Sequence, residues 1–297
     1  MLITGTLLAV LALVLAWPVP VALARRSPLI DPLSRLVLWQ AVGLAGGLSL
    51  IGTAVVFATA PMAGSLGDGL IGLADLQALS LLAWWQWLLL LVAVLLTVRL
   101  ISSLLVQSVL VLRHRRRHSA LVDLLTEPSA ELPNTRVLTS DSPVAYCLPG
   151  RGSGTTVVTT GLLAVLTDEQ RRAVVAHEQA HLDLHHDLLV LPFAAWNRAL
   201  PFVPATSTAL AAVSALIEFM ADDRARASLG AAPLAEAVET GARVHPGAHS
   251  TDLTRARLAR LDRKLPAART RVRTVELVAA ACLVLVPTLI LAAPTLA

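Results

Sequence analysis

His177-Glu178-Gln179-Ala180-His181 sets two imidazoles and a carboxylate at the spacing of a zinc site for peptide hydrolysis. On a helix, positions four apart differ by about 40° and about 6 Å of rise, so both rings project from one face onto one ion. Glu178 points to the side of that face, where it can take a proton from a water beside the ion. A third protein ligand from elsewhere would leave the fourth tetrahedral position open to water and substrate.

The same five residues arise by chance on surface helices, so their setting decides. Ala173, Val174, Val175 and Ala176 precede them, and Ala180, Leu182, Leu184 and Leu188 follow in a helical rhythm. Thr167 with Gln170 three residues on predicts a capped helix start. Two histidines and a glutamate within a mostly buried helix are costly unless something satisfies them, and a metal does.

Glu218 is the best candidate for the third ligand. It interrupts the apolar run Ala209 to Ile217, so a buried helix would carry it inward. Asp222 lies one turn later on the same face, placed to accept an imidazole N–H and orient a ligand. Asp223, Arg224 and Arg226 suit a solvated helix end; Glu218 does not. Asp183, His185, His186 and Asp187 compete for the third place. His185 lies about 12 Å along the helix from His177, too far to share one tetrahedral ion, so these four are expected to cap or hydrogen-bond the end of the motif helix.

Membrane helices must position this site. The chain is 56% hydrophobic with mean hydropathy +0.70, well above a soluble domain. Apolar runs of spanning length cover 2–24, 36–60, 79–112 and 275–293. The third exceeds a hydrocarbon core of about 30 Å, so its span is read as 79–98, with Arg99 snorkelling at the inner end and a helical extension to 112. The first run resembles a secretory signal, but Arg25-Arg26 follows it and no positive charge precedes it, so a membrane helix is expected. Arg25, Arg26 and Arg35 fill the first connection, the connection 61–78 has no Lys or Arg, and Arg113–His118 follows span three. The positive-inside rule then places the N-terminus outside and residues 113–273 in the cytoplasm of a plasma-membrane protein. The net charge of +4 and the Arg113–His118 cluster fit contact with anionic lipid; no direct nucleic-acid binding is expected. Cys147 and Cys282 are the only cysteines, so neither a disulfide framework nor thiolate ligation is implied.

The cytoplasmic stretch is large enough for one core. Thr155-Thr156-Val157-Val158-Thr159-Thr160 is β-branched throughout and bounded by glycines, which predicts a strand just before the motif helix. If that strand is an edge, an extended peptide can pair with it and present its carbonyl to the metal; as an ordinary sheet strand it would only position the helix. The apolar stretch 188–217 contains Pro192, Pro201 and Pro204 and is expected to form a helical hairpin at the membrane surface, not a fifth span. His245 or Arg257 could stabilise the oxyanion, with Tyr146 a weaker candidate.

The stretch Val144 to Leu188, with Leu148-Pro149-Gly150 and Val158-Thr159-Thr160-Gly161-Leu162-Leu163 before His177–His181, resembles the cytoplasm-facing gluzincin membrane peptidases. These include HtpX/CAAX-prenyl-type proteases and the BlaR/MecR-like antirepressor metallopeptidases. Glu218 and Asp222 match their ligand and orienting acid, and His245-Pro246 with Arg257-Leu258 resembles an HtpX-type element. Three spans before the zinc domain and one after fit the BlaR/MecR arrangement, and Leu38-Trp39-Gln40 is similar to compact actinobacterial members. The sequence ends at Ala297, soon after the fourth run, without the penicillin-binding domain of the sensing members, so a signal is expected through the membrane helices, the outer loop or a separate sensor protein.

The fold expected is a polytopic α-helical membrane protein with a cytoplasmic α+β zincin (gluzincin-like) domain: three membrane helices and an extension over 1–112, the peptidase over 113–273, and a fourth membrane helix over 274–297. The expected function is a zinc endopeptidase holding one Zn2+ per chain on His177, His181 and Glu218, with Glu178 as base. The resemblance implies a protein substrate, a BlaI/MecI-type winged-helix repressor or the enzyme itself. HtpX-like quality control is the alternative. A non-catalytic sensor with a structural zinc is a third reading, disfavoured because structural sites fill all four positions.

Overall fold

The computed structural model describes residues 1–25, 31–62, 65–149, 154–244, 250–263 and 269–292. Its helices and strands run, in chain order, α1 (Leu2–Ala16), α2 (Pro18–Arg25), α3 (Pro32–Thr59), α4 (Leu66–Gly72), α5 (Leu76–Leu79), α6 (Trp84–Leu125), β1 (Thr126–Pro128), β2 (Thr135–Leu138), β3 (Ala145–Leu148), β4 (Thr155–Thr159), α7 (Thr160–Val165), α8 (Asp168–Asp183), α9 (His186–Ala199), α10 (Pro204–Leu229), α11 (Ala232–Val244), α12 (Thr251–Leu261) and α13 (Arg269–Ala292). They form two units, and the chain passes between them within α6, α9 and α10.

The first unit comprises Met1–Leu105, Phe193–Val213 and Ala268–Ala297. Here α1 and α13 pack on α3 through Leu15, Val42 and Ala45 and through Leu38, Ala41 and Ala280. Asp31 caps α3 ahead of Pro32, whose fixed φ suits the first helical turn. Glu276 of α13 is buried, yet it accepts from Ser34 Oγ at 2.6 Å and Arg35 Nε at 2.8 Å, while Arg269 donates to Asp31 at 2.9 Å. A carboxylate held this way among apolar helices keeps its charge satisfied. Trp84, Leu88, Leu91, Val94, Leu95 and Val98 lie exposed along α6, as a lipid-facing helix requires.

Five stretches are long and apolar enough to cross a membrane: Leu2–Arg25, Pro32–Thr59, Trp84–Arg117, Pro204–Leu229 and Arg269–Ala292. The fourth of these overlaps, over 204–217, the stretch 188–217 that the sequence reading assigned to a surface hairpin. Pro192 does not break the chain there but lies inside α9, so only Pro201 and Pro204 separate two helices. The helix that begins at Trp84 continues without a break to Leu125, about 63 Å at 1.5 Å per residue. Arg99 also reaches protein: its Nε donates to the Ala199 carbonyl at 2.7 Å, satisfying the C-terminus of α9.

The second unit comprises Val106–Pro192 and Ser214–Ala267. Its sheet has the order β1-β2-β4-β3, with β2 and β4 parallel and the other pairs antiparallel. Val158 packs with Leu132 and Val175, which seats α8 on the sheet. Ala173, Ala225, Leu234 and Leu261 join α8, α10, α11 and α12 in a second core. At the turn from β4 into α7 the backbone passes so close to the preceding loop that a Cβ on Gly161 would stand 2.2 Å from the Asp141 carbonyl oxygen; only glycine fits there.

Candidate active site

The motif helix starts as its residues predict. The Thr167 side chain accepts from the Gln170 backbone N–H, and the Gln170 side chain accepts from the Thr167 N–H at 3.1 Å, a complete capping box for α8. About two turns beyond Gln170, α8 turns His177 and His181 toward α10. Their Nε2 atoms lie 3.1 Å apart, and the Glu218 carboxylate lies 3.4 Å from His177 Nε2 and 3.6 Å from His181 Nε2.

These distances test whether an ion fits. A tetrahedron with bonds of about 2.0–2.1 Å has edges of about 3.4 Å. The separation of the two nitrogens and the distance of each to its nearer Glu218 oxygen, Oε2 for His177 and Oε1 for His181, lie around that value, and two imidazoles with one carboxylate are the donor set of an open zinc site. Among the described residues only three protein ligands converge, so the fourth position is left to water and substrate.

Asp222, 1% exposed, lies 3.0 Å from His177 Nδ1. Arg257 holds the acid in place: Nε donates to Oδ2 at 2.9 Å, Nη2 to Oδ1 at 2.7 Å, and Nη1 lies 3.1 Å from Glu218. Sequence reasoning offered Arg257 as an oxyanion donor. Its guanidinium is buried and turned onto these two carboxylates, so its task here is to hold the acids and balance their charge. His245, the other oxyanion candidate, lies outside the described residues. Tyr146 packs with Val122, Leu148 and Val157, on the opposite side of β3 from its neighbour Cys147.

The electrostatics sort the groups. Burial opposes a charge on His177, but the Asp222 and Glu218 carboxylates overcome it and push its pKa up to about 9. Burial and the neighbouring His177 push His181 down to about 4. Burial raises the Glu178 carboxyl, which suits a group that must take up a proton and release it.

Thr155–Thr159 forms the expected strand, but not an edge, and Thr160 begins α7. β4 is hydrogen-bonded to β2 on one side and β3 on the other, so no substrate can pair with it. The terminal strand beside α8 is β3. Thr159 N–H bonds the Val144 carbonyl, so alternation directs the N–H and C=O groups of Tyr146 and Leu148 toward β4 and those of Ala145 and Cys147 outward. Burial, and then the neighbouring Glu178 carboxylate, push the Cys147 thiol up to about 12, which puts this edge beside the candidate base.

The competitors after the motif divide. Asp183 accepts from Gln179 Nε2 at 2.9 Å, His185 Nδ1 lies 3.2 Å from the Asp183 carbonyl, and Asp187 pairs with Arg115. His186 does not cap the helix. It is 2% exposed and turns inward, its Nδ1 2.8 Å from Nδ1 of His181, and burial with the neighbouring His181 lowers its pKa to about 3, so it stays neutral. Sequence reasoning missed this contact and the place of Cys147 beside Glu178. The signal for His186 was a histidine five positions after a ligand, just past the helix end.

No curated protein and no solved structure matches the chain. Residues 111–238, which carry His177, Glu178, His181, Glu218 and Asp222 but not Arg257, match the model of peptidase family M48.

Proposed function

We propose that the chain is a multi-pass plasma-membrane zinc endopeptidase whose site faces the cytoplasm and which transmits a signal by cutting a protein. The observation that carries the peptidase reading is the convergence of His177, His181 and Glu218 at tetrahedral spacing, beside Glu178 and a terminal strand. A zinc ion held by these three residues would supply Lewis acidity to a scissile carbonyl and to a nucleophilic water. The protein does the rest. An extended substrate adds to β3 through the outward N–H and C=O groups of Ala145 and Cys147, which sets its carbonyl beside Glu178. Glu178 takes a proton from the attacking water as the new C–O bond forms, then gives it to the leaving nitrogen as the C–N bond breaks. Asp222 and Arg257 keep the His177 ring and the Glu218 carboxylate aligned throughout.

The cytoplasmic placement follows the arginines that flank the apolar runs, Arg25, Arg26 and Arg35 and then Arg113 and Arg115–Arg117. The substrate is a winged-helix repressor of the BlaI/MecI type or the enzyme itself, a reading supported by the resemblance set out above. New protein N-termini in cells carrying wild type or Glu178→Gln, with and without cell-wall antibiotic, test it. A repressor fragment or a self-cleaved product that appears with wild type alone supports the proposal. Fragments of many membrane proteins, without repressor cleavage, would replace it with an HtpX-like quality-control role. Identical N-termini under every condition would refute the signalling role.

A further inference from the structure

We propose that His186 is a positioning residue for the metal site, accepting a hydrogen bond from His181 Nδ1–H and so fixing the ring that presents Nε2 to the ion. The inference rests on the reading of His177, His181 and Glu218 as metal ligands.

His181 Nε2 faces His177 Nε2 at 3.1 Å and Glu218 Oε1 at 3.6 Å, so it is the nitrogen that must offer a lone pair to a metal. A neutral ring with a bare Nε2 carries its proton on Nδ1. That atom lies 2.8 Å from His186 Nδ1. One nitrogen of such a pair donates and the other accepts, so His186 Nδ1 is bare and its own proton sits on Nε2. The chain of tautomers has one arrangement compatible with metal binding.

The far end of that chain supplies a second observation. His186 Nε2 is buried and, among the described residues, meets no hydrogen-bond partner. A leucine or phenylalanine would fill the same space without burying an unpaired N–H. The histidine is explained by its other nitrogen. Local backbone delivers it: His185 adopts φ 51°, which ends α8 and lets His186, the first residue of α9, fold its ring back against the last turn. The two ligand histidines are thus backed differently, His177 by the Asp222 carboxylate and His181 by a neutral imidazole.

The test uses the full chain in detergent, stripped of metal and titrated with Zn2+ against a chromophoric chelator, then with Co2+ to read the visible absorption of the site. His186→Leu should weaken zinc binding by about 10- to 100-fold and shift the Co2+ bands. His186→Asn, whose side-chain oxygen can stand where Nδ1 stands, should restore affinity to within about threefold and return the wild-type spectrum. Wild-type zinc affinity in His186→Leu would overturn the inference while leaving the ligand set intact. Equal losses in the Leu and Asn variants would overturn it too, by reducing His186 to packing. A wild type that binds no zinc, or a His181→Ala that binds it as tightly as wild type, would overturn the metal-site reading itself and this inference with it.

Discussion

Replacing Arg257 with methionine keeps most of the buried volume and removes the charge that two carboxylates share. Asp222 is 1% exposed and takes two of the guanidinium's donors, and Glu218 lies 3.1 Å from a third nitrogen. With charge centres about 4 Å apart and an effective dielectric near 20, one such pair is worth about 4 kcal/mol. That agrees with the roughly 3–5 kcal/mol seen when one partner of a buried pair is deleted and the other stays charged. For a unit of this size the loss corresponds to a fall in melting temperature of about 10 °C. Zinc brings positive charge to the same carboxylates, so the deficit should shrink when metal is present. Arg257→Lys keeps the charge but not the planar fork and should recover only part of the loss. A thiol-reactive dye follows unfolding directly in a Cys282→Ala background. Cys147 is then the single cysteine, and with its thiol held up at about 12 it reacts slowly until the site opens. A melting temperature in chelator within a degree or two of wild type would refute the assignment of Arg257 as the residue that holds the acids.

Two further outcomes follow from the same geometry. Ala145→Pro removes an outward N–H while sparing the bonds to β4, so the protein should fold and lose about tenfold or more in kcat/KM on an extended peptide; Tyr146→Pro removes a bond to β4 and should destabilise the sheet instead. Unchanged kcat/KM for Ala145→Pro would remove β3 as the docking edge. His177 keeps its proton up to about pH 9 while His181 loses its own at about 4, so zinc displaces one proton at neutral pH. Affinity from chelator competition should rise about tenfold per pH unit between about 7 and 9 and then level off. The same raised pKa stabilises the metal-free fold fully below about 6.5, and that stabilisation fades as pH rises through about 9. A flat affinity profile would show that His177 is already neutral.

What the sequence made legible was local. The capping box at Thr167, the shared face of His177 and His181, and the inward turn of Glu218 and Asp222 all follow from helical period and a few residue types. Pairing was not legible. β4 has the composition of any buried strand, and only the return of β3 alongside it decides which of the two is terminal. Arg257 read as an oxyanion donor and Arg99 as a snorkelling cation because their partners, Asp222 and the Ala199 carbonyl, lie 35 and 100 positions away. His186 was hidden by a backbone detail, the positive φ at His185, which turns a residue expected at a helix cap into the site. Pro192 was over-read as a break, and the helix accommodates it.

The central claim is that His177, His181 and Glu218 hold a zinc ion that works with Glu178 to cut peptide bonds. The most direct test measures zinc per chain and hydrolysis of an unfolded protein such as β-casein by the full chain in detergent, for wild type and Glu178→Gln. The account predicts one zinc in both and cleavage by wild type alone, abolished by chelation and restored by zinc. Zinc-free protein, or a Glu178→Gln variant as active as wild type, would contradict it.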